Sequence, residues 1–219
     1  MATREEPPGA REWVPKRPTL RSLQRAVQEC RGCELYRDAT QGVMGAGKAS
    51  AELMMLGEQP GDKEDRAGEP FVGPAGQVLD KALAEAGIDP HEVYRTNVVK
   101  HFRFETRGKQ RIHKGPSRVH VAACGPWLLA ELDLVRPTGV VVLGATAGKA
   151  LYGTGFRVGE ARGEIRSWPA EFDGGDSRHE PEWALATAHP SAVLRSRNRE
   201  DDLERLVEDL VVARNALEH

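Results

Sequence analysis

Apolar and polar positions fall in blocks along this chain, and the block lengths predict strands alternating with helices. Continuous apolar runs at 53–56 (LMML) and 138–143 (TGVVVL) have the length of buried strands, as do 94–99 (YRTNVV) and 183–188 (WALATA). Between them, apolar residues recur at helical spacing over 19–29 (Leu20, Leu23, Val27), 75–86, 116–135, 145–151 and 200–217. Gly87 closes the second of these helices and Pro116 opens the third. Residues 101–115 (HFRFETRGKQRIHKG) and the Gly-rich stretch 153–181 show neither period and read as irregular loops. The pattern predicts an α/β fold: a central, mainly parallel sheet flanked by helices on both faces. Residues 19–217 read as a single domain, preceded at 1–18 by a charged, proline-containing flexible arm.

Composition changes this picture little. A chain of 219 residues with 39% hydrophobic and 29% charged residues is ordinary for a soluble domain. No apolar run approaches the roughly 20 residues of a membrane span, and the N-terminus lacks the apolar region of a signal peptide. The expectation is a cytoplasmic monomer with no membrane partner. The net charge of −2 argues against a nucleic-acid partner, but its distribution argues for one. Between positions 95 and 118 there are eight Lys/Arg (Arg95, Lys100, Arg103, Arg107, Lys109, Arg111, Lys114, Arg118) against one acid, Glu105. Arg195, Arg197 and Arg199 form a second cluster. Local basic faces on a neutral body suit phosphate tracking.

Candidate chemistry gathers at the predicted strand ends. The strand at 53–56 runs into Gly57-Glu58-Gln59-Pro60-Gly61-Asp62, where open α/β sheets bind ligands. Asn97 stands near the end of the second strand and His189 just past the last. The loop at 42–50 nearly matches a phosphate-binding P-loop. However, Ala49 replaces the magnesium-binding Ser/Thr and no strand precedes it, which disfavours an NTPase. Three cysteines cannot all pair as disulfides; Cys30 and Cys33, in C-x-x-C spacing, and Cys124 are candidate metal ligands, with His101 a candidate fourth. Spacing alone favours structural zinc, leaves an iron–sulfur cluster open, and allows buried cysteines with no metal. A nucleobase deaminase is disfavoured, because no H-x-E with a following P-C-x-x-C is found.

Taken together, five segments point to a family: Cys30-x-x-Cys33, Gly57–Asp62, Gly68-Glu69-Pro70-Phe71-Val72-Gly73, Asn97-Val98-Val99-Lys100 and His189-Pro190-Ser191. Over positions 20–213 the chain resembles the family-four uracil-DNA glycosylases. Within them it is most similar to the UdgX subgroup, which captures uracil-DNA covalently. The resemblance implies a 4Fe-4S cluster held by Cys30, Cys33, Cys124 and His101, histidine standing where ordinary members have a fourth cysteine. The subgroup's basic insertion Lys-Arg-Arg-Ile-His reads Lys109-Gln110-Arg111-Ile112-His113 here, with Gln110 replacing an arginine.

The resemblance also implies roles, and the residues can fill them. The substrate is uracil-containing DNA, single-stranded or with the base flipped out. Phe71 would stack on the uracil, and Asn97 would pair with its N3–H and O4. His189 would donate to O2 as charge develops there. Gly57 heads the substrate loop, with Gln59 and Asp62 holding it and lining the pocket. Ser191, Arg195, Lys109 and Arg111 would contact phosphates. Glu58 would orient His113 and take up its proton, and His113 would attack C1′, consuming the protein in one turnover. The alternatives are a turnover glycosylase that leaves an abasic site and a non-catalytic uracil-DNA binding module.

Overall fold

The computed structural model describes residues 7–169 and 178–218, so parts of the expected arm and of the Gly-rich stretch lie outside it. In chain order the elements begin with α1 (Leu20–Ala26), β1 (Ala46–Gly47), β2 (Leu53–Gly57), α2 (Asp62–Ala67), α3 (Pro74–Glu85) and β3 (Tyr94–Asn97). There follow β4 (Phe104–Arg107), β5 (Gln110–His113), α4 (Arg118–Val135), β6 (Gly139–Leu143), α5 (Gly144–Tyr152) and α6 (Val158–Ala161). The chain ends with β7 (Ile165–Arg166), β8 (Trp183–Thr187), α7 (Pro190–Arg195) and α8 (Arg199–Leu217).

The main sheet has the order β1-β3-β2-β6-β8-β7. Its four central strands are parallel, and the two short edge strands are antiparallel. Strand alternation divides the apolar runs between two cores. Met54, Leu56, Val140 and Val142 face a cluster containing Leu23 of α1 and Trp127, Leu128 and Leu132 of α4. Leu53, Met55, Val141 and Leu143 face Leu79 and Leu83 of α3 and Leu206 and Leu210 of α8. Helices therefore cover both faces, which is why β2 and β6 read as continuous apolar runs. Among the described residues no helix is long and apolar enough to cross a membrane.

Three expectations change, one of them in the stretch 153–181, where α6 and β7 interrupt the irregular chain. Residues 104–113, taken as irregular loop, form a β-hairpin of β4 and β5 with Phe104 opposite His113 and Arg107 opposite Gln110. Its two-residue turn is Gly108-Lys109, with Gly108 at φ 61°, a position that suits glycine. In the segment read as a flexible arm, Ala10 is buried. Gly9 N–H donates to Gly32 O at 3.0 Å and Ala10 N–H to Ala123 O at 2.7 Å, so this stretch lies across the backbone beside Cys33 and Cys124.

Candidate active site

The carboxyl ends of β2, β3, β6 and β8 open on a cavity of about 690 Å³. Glu58, Gln59, Phe71, Asn97, His113, His189, Ser191 and Arg195 line it, together with Glu64 from α2. Asp62, Arg111 and Lys109 do not line it.

Gly57 sets the floor, although it lies outside the lining. A Cβ there would stand 2.3 Å from Asn97 Oδ1 and 2.9 Å from Phe71 Cζ, so only glycine lets the two approach. Phe71 is buried in the left-handed region at φ 59°, a strain of about 1–3 kcal/mol for a non-glycine residue. The turn that holds it is secured by Gly73 N–H donating to Glu64 Oε1 at 2.9 Å. Gly76 also serves this turn, since a Cβ there would lie 1.6 Å from Phe71 O. The Phe71 ring is stacked near His189, with centroids 6.4 Å apart and planes at 24°.

His189 caps α7. Ser191 N–H donates to its Nδ1 at 3.1 Å, which makes Nδ1 the unprotonated nitrogen and leaves the proton on Nε2. Ser191 Oγ lies 2.9 Å from Nδ1 and accepts from Arg195 Nη1 at 3.1 Å. Ser191 therefore orients the imidazole, whereas sequence reading gave it to phosphate. Burial, helped by the nearby charges of Arg195 and His113, lowers the His189 pKa to about 4. The unfolded ring titrates near 6.5. Between these values only the unfolded chain takes up the proton, so stability is lost as pH falls from about 6.5 towards 4. Ring nitrogen NMR should show the Nε2–H tautomer at neutral pH, and a titration midpoint near 4.

The hairpin carries His113 to the cavity. On β5, side chains alternate, so Arg111 and His113 share one face while Gln110 and Ile112 take the other. Arg111 is the anchor. Its Nη1 contacts Asp65 Oδ2 at 2.6 Å and Thr40 Oγ1 at 3.1 Å, its Nε pairs with Asp62 Oδ1, and its guanidinium lies 5.4 Å from the Phe102 ring and 5.0 Å from Phe104. Gln59 fastens the hairpin base: its Nε2 donates to Arg103 O at 3.0 Å and Lys114 O at 3.2 Å, and its Oε1 accepts from Arg103 N–H at 3.1 Å. His113 Nε2 then stands 3.3 Å from Glu58 Oε1. That oxygen is buried and makes no well-aligned hydrogen bond among the described residues. Long, loosely aligned contacts of this kind are common in catalytic pairs before substrate binds.

The basic segment is thus not a free phosphate-tracking surface. Lys100 is wholly buried against Glu131, Arg95 pairs with Asp80, Lys114 with Glu105, and Arg111 with Asp62 and Asp65. The assignment of Arg111 to phosphate is corrected accordingly, and Asp62 holds the hairpin from outside the cavity. Exposed Arg107 and Lys109 at the hairpin tip make no ion pair among the described residues. Sequence reading missed Asp65, although its position three residues after Asp62 on a helix puts both acids on one face.

Arg111→Ala would leave the buried Asp65 carboxylate without its cation. We expect a stability loss of about 3 kcal/mol in chemical denaturation. The salt slope of DNA binding should change by less than the roughly 0.7 expected for one single-strand phosphate contact. Lys109→Ala should do the reverse.

The cysteines lie elsewhere, Cys124 on α4 and Cys30 against that helix through Trp127. Cys30 Sγ accepts from Gly32 N–H at 3.5 Å and Trp127 Nε1–H at 3.4 Å, and Cys124 Sγ accepts from Lys100 N–H at 3.2 Å. Burial pushes Cys33 up to about 11 and Cys124 to about 12, and the three sulfurs influence one another's charge. His101 follows Lys100 and lies near Arg31. Burial lowers its pKa to about 4, and its ring makes no hydrogen bond among the described residues. No three His, Cys, Asp or Glu among the described residues converge closely enough to hold one ion. Two buried thiols, the half-buried Cys33, N–H donors aimed at sulfur and the neutral His101 imidazole are a donor set of the kind that holds iron–sulfur clusters.

The profile of the uracil DNA glycosylase superfamily matches residues 44–211. The type-4 uracil-DNA glycosylase of Thermotoga maritima is 35% identical over 190 residues, covering 86% of this chain and 90% of that protein. The Pyrobaculum aerophilum enzyme of the same name is 34% identical over 176 residues, with coverage of 80% and 85%. That of Archaeoglobus fulgidus is 32% identical over 183 residues, with coverage of 80% and 83%. A matched segment that spans the sheet, the cavity and His189 places this chain in the uracil-DNA glycosylase superfamily, to which it belongs.

Proposed function

We propose that this protein recognises uracil in DNA, cleaves the N-glycosidic bond and keeps the DNA through a covalent bond between His113 and C1′. The observation that carries the reading is His113 on the inner face of an anchored hairpin, 3.3 Å from Glu58, at the mouth of the cavity that holds Asn97 and His189.

A base stacked in duplex cannot reach such a cavity, so uracil enters flipped out or from a single strand. Phe71 packs against its face. The Asn97 amide accepts from N3–H and donates to O4. Cytosine presents the opposite pattern and would leave buried groups unpaired. As the glycosidic bond stretches, negative charge gathers on uracil O2 and positive charge on the sugar. Neutral His189 donates its Nε2–H to O2, and Ser191 keeps that tautomer in place. The Glu58 carboxylate stabilises the sugar cation. The unprotonated nitrogen of His113 then forms the bond to C1′ while uracil leaves with the bonding pair, and Glu58 or the uracil anion takes the proton from the other ring nitrogen. An N-alkyl imidazole is a poor leaving group, so turnover stops there. Arg195 and the hairpin-tip cations Arg107 and Lys109 provide phosphate contacts at the rim.

Cys30, Cys33, Cys124 and His101 would hold a 4Fe-4S cluster. Its part is structural, tying α4 and the segment after β3 to the N-terminal region. The purified protein should be brown, with about four irons per chain, and His101→Cys should retain them. A colourless, zinc-loaded and active protein would contradict the assignment.

A turnover glycosylase is the second reading, favoured by the names of the relatives and by the half-exposed His113, which water could bypass. Incubation with a uracil-containing oligonucleotide separates the two. Covalent capture gives one equivalent of uracil and an SDS-resistant band, turnover gives many equivalents and no band, and a binding module gives neither.

A further inference from the structure

The proposed chemistry depends on the Asn97 amide, and the structure shows an unusual support beneath it. β3 ends at Asn97 and the chain turns at once, with Val98 N–H donating to Gly57 O at 2.9 Å and Val99 N–H to Glu58 O at 3.0 Å. The Lys100 side chain folds back under this turn and is wholly buried. All three of its ammonium protons are taken: Thr96 Oγ1 accepts at 2.7 Å, Asn97 O at 2.6 Å and Glu131 Oε2 at 2.6 Å. Glu131, wholly buried on α4, accepts in addition from Thr96 Oγ1–H at 2.8 Å, Tyr94 O–H at 3.0 Å and Gly45 N–H at 2.6 Å. The Lys100 main-chain N–H meanwhile rests on Cys124 Sγ.

A buried ion pair of this kind is a poor way to gain stability. The cost of desolvating both charges roughly offsets their attraction, and apolar residues of similar size often serve as well or better. What the pair does provide is direction. One ammonium caps the carbonyl of the residue that reads the base, and one carboxylate fixes that ammonium to the helix carrying Cys124.

We propose that Lys100, held by Glu131, is a positioning residue for base recognition: by capping the Asn97 carbonyl it sets the plane in which the Asn97 amide meets uracil. This deepens the functional reading given above and rests on it. Lys100 touches no substrate atom. Its effect belongs to the reacting geometry, where a displacement of about 1 Å can cost on the order of a hundredfold in rate.

The test is the double variant Lys100→Met/Glu131→Gln, which removes both charges together and keeps the volume. Thermal melts, visible absorbance and single-turnover reaction of a uracil oligonucleotide are measured across DNA concentrations. The saturated rate should fall by about tenfold or more, with the half-saturating DNA concentration within about twofold, because the phosphate contacts are untouched. Tyr94→Phe is the control. It removes another bond to the same carboxylate and should lower the melting temperature without changing the saturated rate. A purely structural role would move the melting temperature in both variants and the rate in neither. If the double variant does not fold, Glu131→Asp, which retracts the carboxylate while keeping its charge, should show a smaller drop of the same kind. A wild-type saturated rate in whichever variant folds overturns the proposal while leaving the functional reading intact. Absence of any product from the wild type would overturn both.

Discussion

Replacing His113 with serine should abolish the SDS- and heat-resistant DNA complex and turn the protein into one that releases uracil and leaves alkali-labile abasic DNA. The reasoning separates bond cleavage from capture. Asn97, His189 and Glu58 remain in place, so the pocket can still draw charge onto uracil and support the sugar cation. What disappears is the ring nitrogen at C1′, and the smaller serine leaves a gap into which water can pass. Capture should fall by more than about a hundredfold, the scale on which loss of one positioned catalytic group acts. Uracil release should continue past one equivalent. Arg111 anchors the hairpin independently of His113, so the variant should melt close to wild type.

Asn97→Ala should give the second-largest effect, of a different kind. Asn97 is nearly fully buried at the end of β3, and its amide lines the cavity beside Phe71, whereas the Gln59 amide is taken up by the hairpin base. Truncation leaves uracil N3–H and O4 without their protein partners in the cavity. Each unmet group costs about 1–3 kcal/mol, so the reaction should slow by about two orders of magnitude or more. The loss should appear both in competition by free uracil and in the reaction rate. A surface substitution such as Arg107→Ala should affect only the salt-dependent part. Parent-rate capture by Asn97→Ala would remove Asn97 from base recognition.

The parts of this site that were legible in sequence are those fixed by local rules. The runs at 53–56 and 138–143 are buried on both faces, so they read as strands without reference to their neighbours, and the loop after the first necessarily lies at a carboxyl edge. The helix that starts at Pro190, with His189 Nδ1 as its cap, was not among the helices expected from the sequence, although a proline at the first helical position was its signal. The hairpin was hidden because both of its strands are largely exposed, leaving no alternation of buried and open positions to read. Its one clear signal was Gly108-Lys109, a two-residue turn between FETR and QRIH. The fate of the cations was also illegible, for a related reason. Arg111 meets an acid 46 residues away. Lys100 meets one 31 residues away. Counting neighbouring charges therefore described a basic face that the fold largely neutralises. Glu131, an acid flanked by Leu128, Leu129, Ala130 and Leu132 in the run LLAELDLV, was the available hint that a buried cation would be needed.

The most direct test of the account is the location of the bond it proposes. Wild-type protein is reacted with a short uracil-containing oligonucleotide, denatured, digested with nuclease and protease, and sequenced by mass spectrometry. The nucleotide remnant should sit on His113, in the peptide containing Ile112. An adduct mapped to His189 or Glu58, or a cross-link that persists in His113→Ser, would contradict the mechanism.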